Sequence, residues 1–215
     1  MYRSFIKRGI DAVGALLGLV LLGWLLLLLA VLVRIKLGAP VIFRQQRPGK
    51  NERVFTLYKF LSMSDARDGE GKLLPDAQRL TRFGRLLRAT SLDELPELWN
   101  ILKGDMSFVG PRPWTVRYLQ FYTPEEHRRH LVRPGLTGYA QVNGRTAADW
   151  GERLKMDVYY VDHLSFVLDA RVFFKTFAKV FARGEVVVAE AQGNFDEYRR
   201  RQWENGEVPR PEEIP

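Results

Sequence analysis

Cysteine is absent from this chain of 215 residues, and histidine occurs only three times. The missing cysteine excludes disulfides, thiolate nucleophiles and cysteine metal sites, and it agrees with a reducing cytoplasmic environment. Two of the histidines, His127 and His130, are spaced i, i+3 beside Arg128 and Arg129. That charged setting reads as a solvated helix face rather than a metal site. No internal repeat occurs, and the one low-complexity tract is a leucine-rich run near the N-terminus. Within that run charge and proline are both missing: Ala12 to Val33 covers about 22 residues, enough to cross a hydrocarbon core about 30 Å thick.

The run belongs in a bilayer. It is too long for the apolar region of a cleaved signal peptide, and Arg34 and Lys36 stand where a small-residue cleavage site should be. Arg3, Lys7 and Arg8 precede it, while Arg34, Lys36, Arg44 and Arg47 follow. Basic residues on both sides favour keeping both ends in the cytoplasm, which a re-entrant hairpin would satisfy. A bend in lipid, however, leaves backbone groups without partners unless a breaker and nearby side chains satisfy them, and only Gly14, Gly18 and Gly23 are available. A simple spanning helix is the other reading, and the commoner fate of such runs.

With 46% hydrophobic residues, the remainder is large enough for one compact domain with a real core. Thirty-three Lys and Arg against 25 Asp and Glu give a net charge of +8, which suits lipid headgroups, nucleotide phosphates and nucleic acid equally. The organisation is a membrane segment (1–36), a catalytic domain (37–200) and a polar, proline-rich tail (201–215). Val41–Arg44 and Arg53–Phe60 read as a β-hairpin around the turn cluster Pro48-Gly49-Lys50-Asn51. Ser64 to Asp76 reads as a polar loop, and Arg79 to Arg88 as a helix with leucines and arginines at helical spacing.

The most informative stretch is Ser91 to Pro113. Ser91 and Glu94 match a capping box, and acidic residues suit the start of a helix, so Asp93 and Glu94 have a purely structural explanation. Pro96 fits badly five residues into a helix, which moves the predicted start toward Asp93 and puts Leu95, Leu98, Trp99 and Leu102 on one buried face. The carboxylates would then sit at the lip of a buried helix. Arg112, between Pro111 and Pro113, is either a surface residue on a rigid loop or a phosphate clamp on a stiffened backbone. The glycine-spaced loop Arg133–Arg145 could bring backbone amides close to an anion, but it matches no phosphate-binding fingerprint. Ser165 to Arg183 forms a basic amphipathic helix suited equally to a membrane interface and to the protein core.

These motifs together resemble the small bacterial sugar transferases, monotopic polyprenyl-phosphate phosphoglycosyltransferases. The resemblance runs from Lys7 to about Arg183 and rests on Lys7–Asp11, Pro40–Arg47, Lys59-Phe60, Leu80–Arg88, Ser91–Pro96, Lys103–Pro113 and Arg133–Arg145. It implies a mainly helical α+β fold: a re-entrant membrane helix, a small β-hairpin, and interfacial amphipathic helices around a compact catalytic domain. It implies an enzyme on the cytoplasmic face of the bacterial inner membrane. Its substrates would be a UDP-sugar and undecaprenyl phosphate, its released nucleotide UMP, its cofactor Mg²⁺ at Asp93 and Glu94. Asp93 would be the nucleophile that carries the sugar phosphate. Arg112, Arg145, Lys59 and Arg88 would hold phosphate, Asp157 and Asp169 are further acidic positions that could equally pair with cations, and Lys7, Arg8 and Asp11 lie where the segment inserts.

The sequence departs from the family pattern twice. Gly23-Trp24 stands where relatives have a Ser-Pro breaker, and Leu61 stands where they have arginine. The stretch from Gly184 to Arg199 resembles members that handle N-acetylated amino sugars such as di-N-acetylbacillosamine. Nucleic acid is not an expected partner; a homo-oligomer is compatible with the sequence. Two other functions compete with this one: a non-enzymatic membrane adaptor binding anionic lipid or nucleic acid, and a tethered phosphohydrolase whose aspartyl intermediate discharges to water.

Overall fold

The computed structural model describes residues 2–144, 149–181 and 194–210. The uncharged run forms two helices, α1 (Lys7–Leu21) and α2 (Gly23–Lys36), bent by 64°. Among the described residues no single helix is long and apolar enough to cross a membrane. The bend falls at Leu22, immediately before Gly23-Trp24. Gly14 and Gly18 turn out to be packing positions, not breakers: a Cβ there would lie 2.8 Å from Phe108 and 3.2 Å from Leu98. Removing both side chains lets α1 settle against the domain.

Polar contacts fix the same helix. Lys7 Nζ donates to Asp169 Oδ2 at 2.7 Å, and Asp11 Oδ1 accepts from the Phe108 backbone N–H at 3.1 Å. Arg8 donates to the carbonyl oxygens of Ile101 and Leu102, both at 2.6 Å, where a helix end leaves acceptors without internal partners. The basic flank is therefore partly structural, since Lys7 and Arg8 are used inside the protein. The outward face of the bent pair stays apolar, with Val13, Leu17, Val20, Leu21, Trp24 and Leu27 each more than half exposed. So large a contiguous apolar surface is uncommon on a soluble monomer.

The hairpin forms as expected from β1 (Ile42–Pro48) and β2 (Val54–Phe60), antiparallel from Ile42 opposite Phe60 to Pro48 opposite Val54. Its tip turns through Asn51 and Glu52, both at positive φ. Helix α3 (Arg82–Ala89) begins at Thr81, whose hydroxyl accepts from the Gly84 N–H. Helix α4 (Glu97–Lys103) follows, and then a pairing that the sequence reading missed: β3 (Ser107–Val109) runs parallel to β4 (Gly135–Thr137). The second strand falls inside the glycine-spaced stretch expected to be a loop. Glycine explains the pairing, because a Cβ on Gly135 would lie 2.1 Å from the Gly110 nitrogen and one on Gly138 2.3 Å from the Gly110 carbonyl oxygen. These glycines bring two backbones together; they do not open amides toward an anion.

Three longer helices complete the domain: α5 (Trp150–Asp162), α6 (Phe166–Phe181) and α7 (Phe195–Glu204). Helix α6 packs on the core, as one of its two expected readings required, and leaves an aromatic side uncovered. Val172 and Phe173 pack inward, while Phe166, Phe174 and Phe177 are exposed. The expected polar tail starts later than residue 201. Residues 201–204 finish α7, and Trp203 packs against Phe121, ring centroids 5.6 Å apart, on an aromatic core with Tyr118, Trp150 and Phe195. The fold is mainly helical α+β, with two small sheets where one hairpin was expected.

Candidate active site

Ser91 adopts a left-handed conformation, φ 54°, and its side chain makes no cap hydrogen bond, so the capping-box reading of Asp93 and Glu94 fails. Leu92–Glu94 form a 3₁₀ turn, and Pro96 becomes the residue that caps α4, a turn later than expected. Proline suits that place because the first N–H groups of a helix have no internal acceptor. The expected apolar face is also rotated. Leu98 is buried, Trp99 is half exposed, and Asn100 and Ile101 are the fully buried positions. Asn100 bridges to the hairpin, accepting from the Tyr58 N–H at 3.1 Å and donating to the Thr56 carbonyl at 2.7 Å. That bridge brings Lys59 of β2 alongside the carboxylates.

Glu94 Oε1 accepts from Lys59 Nζ at 2.6 Å and from Arg112 Nη2 at 3.0 Å. Lys59 also lies 3.1 Å from Oε1 of Glu97, a buried carboxylate that sequence reasoning passed over. Burial opposes ionisation of Glu94, but Arg112 and then Lys59 hold its carboxyl below the usual range. Glu97 moves the other way, since burial dominates the attraction of Lys59. Asp93 differs from both. It is buried, and among the described residues no donor hydrogen-bonds its carboxylate. Burial, reinforced by Glu94, raises it to about 6.

The segment carrying Arg112 is clamped from behind. Arg129 Nη2 donates to the Arg112 carbonyl at 2.7 Å, and Arg47 Nη1 donates to the Pro113 carbonyl at 3.1 Å. Arg88 donates to Ser62 Oγ at 2.9 Å and is close enough to favour ionisation of Asp93. Four of the expected site residues, Asp93, Glu94, Lys59 and Arg112, thus come together with Arg88 at their edge. Arg145 lies outside the described residues, as does most of the stretch linked to N-acetylated sugars. Asp157 and Asp169 are ion-pair partners: Asp157 pairs with Arg129 at 2.7 Å, and Asp169 with Lys7 at 2.7 Å and the Tyr160 hydroxyl at 2.7 Å. Leu61, in place of the family's arginine, is buried with Phe60 and Leu87 and reinforces the core beneath the site.

A cavity of about 720 Å³ opens beside this cluster. Its lining mixes polar side chains, Glu94, Arg112, Arg153 and Asp157 among them, with apolar ones such as Ile10, Leu98, Phe108, Phe174 and Phe177. Asp93 is not among the lining residues, and the charges of Lys59, Arg88 and Arg112 all reach it.

The histidine pair requires a correction. His127 is partly exposed, but His130 is buried, and Arg129 between them is 2% exposed and paired inside the protein. The stretch is not a solvated face. Burial, then Arg129 and His127, push the His130 imidazole down to about 3, leaving it neutral.

Buried carboxylates and cations thus lie beside a cavity whose lining is partly charged and largely apolar. The pattern of the bacterial sugar transferases matches residues 2–183. The uncharacterized sugar transferase EpsL of Bacillus subtilis is 50% identical over 175 residues, covering 81% of this chain and 87% of its own. The UDP-N-acetylgalactosamine-undecaprenyl-phosphate N-acetylgalactosaminephosphotransferase of Aeromonas hydrophila is 40% identical over 80% of this chain and 43% of its own. The UDP-glucose:undecaprenyl-phosphate glucose-1-phosphate transferase of Caulobacter vibrioides is 39% identical, the match spanning 79% and 67% of the two chains. This chain belongs to the bacterial sugar transferase family and is an enzyme of sugar-phosphate transfer.

Proposed function

We propose that the protein transfers a sugar 1-phosphate from a UDP-sugar to undecaprenyl phosphate and releases UMP, the first membrane step of surface glycan assembly. The observation that carries this reading is the adjacency of a buried carboxylate without a hydrogen-bond donor among the described residues, two phosphate-competent cations and a largely apolar cavity. An Asp93 oxygen attacks the phosphorus bonded to the sugar, the bond from that phosphorus to the bridging oxygen breaks, and UMP leaves with the bridging oxygen and its electrons. A phosphate oxygen of the lipid then attacks the same phosphorus. The Asp93–phosphorus bond breaks, restoring the carboxylate and forming the lipid diphosphosugar. Arg112 and Lys59 are positioned by Glu94 to receive phosphoryl oxygens, and their charge offsets the repulsion between a carboxylate and a diphosphate.

Mg²⁺ fits the donor set on two grounds. Asp93 has no competing hydrogen-bond donor among the described residues, and a magnesium ion needs only one or two carboxylates when substrate phosphates complete its shell. Held by Asp93 and Glu94, it would neutralise phosphate charge and polarise the phosphoryl oxygen. The bent pair α1–α2 is the membrane element in this reading, inserted in one leaflet with both flanks on the cytoplasmic side. Its exposed apolar face and the exposed aromatic residues of α6 support that placement.

The donor sugar is set by loops rather than by the shared motifs, because single hydroxyl or acetamido differences are read by local contacts. UDP-sugars with N-acetylated amino groups, di-N-acetylbacillosamine among them, are the first candidates. A UMP-release assay over a panel of UDP-sugars with undecaprenyl phosphate tests the proposal. UMP released only with the lipid acceptor present in steady state is the expected result; release of UDP, or sustained turnover without lipid, contradicts it.

A further inference from the structure

Away from the carboxylate cluster, three metal-competent side chains converge where the hairpin tip meets the turn after Tyr122. His127 and His130 lie at the junction of a short helix and a 3₁₀ turn (Arg128–Leu131). Three residues per turn eclipse positions i and i+3, so the two imidazoles share one face, ring centroids 6.2 Å apart. Glu52 reaches them from the hairpin tip. Its Oε1 contacts His127 Nδ1 and lies 3.4 Å from His130 Nδ1, and one ligand atom from each of the three residues falls within 4.8 Å of the others. Tetrahedral ligands about 2.1 Å from a metal are separated by about 3.4 Å, so the Glu52–His130 spacing already matches one edge of such a shell.

A hydrogen bond between His127 and Glu52 explains only part of this arrangement. The side chain of His130 is 6% exposed, and among the described residues neither of its ring nitrogens has a hydrogen-bond partner. Buried polar atoms are rarely left so, and an ion at the convergence point would supply what the protein does not. Glu52 and His127 are each about a third exposed, which leaves a path for the ion to enter. The neighbouring cations do not block it, because Arg129 is neutralised by Asp157, and Arg128 by Glu125 and Asp162.

The geometry points to a second metal site, formed by Glu52, His127 and His130, that takes a divalent transition ion of the zinc class. Two imidazoles and a carboxylate suit Zn²⁺, with water in the fourth position, and discriminate against Mg²⁺, which prefers oxygen ligands. The ion would tie the hairpin tip to the turn that carries Arg129, and Arg129 in turn holds the Arg112 carbonyl. It is therefore a clip on the frame of the phosphate-binding loop, separate from Mg²⁺ at Asp93 and Glu94.

The test uses the full chain in detergent or nanodiscs, stripped with a chelator and titrated with ZnCl₂ by calorimetry, with thermal unfolding in parallel. One Zn²⁺ per chain and a Tm that rises with Zn²⁺ concentration are expected. His127→Ala, at a partly exposed position, should unfold like the parent without metal yet bind Zn²⁺ at least about 100-fold more weakly, with Glu52→Gln intermediate. Asp93→Asn should keep the site, and excess Mg²⁺ should not compete. Absence of saturable Zn²⁺ binding, or a stoichiometry unchanged in both His127→Ala and Glu52→Gln, overturns the assignment. Loss of Zn²⁺ in Asp93→Asn alone would do the same, by moving the ion to the carboxylate cluster.

Discussion

Two sets of buried charge lie side by side in this protein and are finished differently. In the first, Arg129 and Asp157, and likewise Lys7 and Asp169, are closed pairs whose charges meet with further hydrogen bonds around them. In the second, Glu94 takes Lys59 and Arg112, while among the described residues no cation is hydrogen-bonded to Asp93 beside it, Arg88 being bonded to Ser62. The first set ties elements together: α5 to the Arg112 segment, α1 to α6. The second leaves one carboxylate desolvated and uncommitted, a state that costs stability and favours reactivity. Burial alone does not separate the two; completeness of the partner set does.

The sharpest way to break that comparison is Asp93→Asn. It should abolish turnover, measured as UMP release, and at the same time stabilise the fold. The sign follows from the raised pKa. Between about pH 4 and 6 the folded protein holds a proton that the unfolded chain has lost, so stability falls as pH rises through that window, by up to about 3 kcal/mol. Denaturation at pH 7 should show the variant gaining much of that amount, and at pH 4 little. Next in size is Arg129→Met, which strands Asp157 in the interior and should cost about 3–5 kcal/mol in chemical denaturation. Adding Asp157→Leu should restore most of the loss, as expected for a closed pair and not for a catalytic acid. Arg8→Ala, which releases the Ile101 and Leu102 carbonyls, should cost about 2 kcal/mol and loosen α1 by hydrogen exchange at Phe108. The mildest test is pH itself. The rate of the first chemical step, followed by rapid quench with donor alone, should fall about tenfold per unit below about pH 6, where Asp93 is protonated.

Local signals in the sequence mark the hairpin, the helix expected over Arg79–Arg88 and found at Arg82–Ala89, the proline-flanked arginine and the acidic pair. Each depends on residues within a few positions of one another, where turn chemistry and periodicity operate. Three things were not legible. Glu97 has no local signal of its own, and only the fold of β2 against α4 brings Lys59 between it and Glu94. The β3–β4 pairing joins segments of three residues each, too short for alternation to register; the clue was glycine at 110, 135 and 138, of which 135 and 138 read as approach points for an anion and not for a second backbone. The histidine pair was judged by its arginine neighbours, but Arg129 is drawn inward by Asp157, 28 residues further on, and takes His130 with it. Aromatic residues at 195, 198 and 203 likewise signalled that α7 belongs to the core, against the polar composition around them.

Everything in the proposed reaction passes through one bond, from an Asp93 oxygen to phosphorus. Intact-protein and peptide mass spectrometry of the full chain, mixed with UDP-sugar in the absence of lipid and quenched in acid, measures it directly. The account predicts a mass increase equal to one sugar phosphate, located on Asp93 and discharged by undecaprenyl phosphate. An active preparation that shows no such adduct, or that carries it on another residue, contradicts the mechanism.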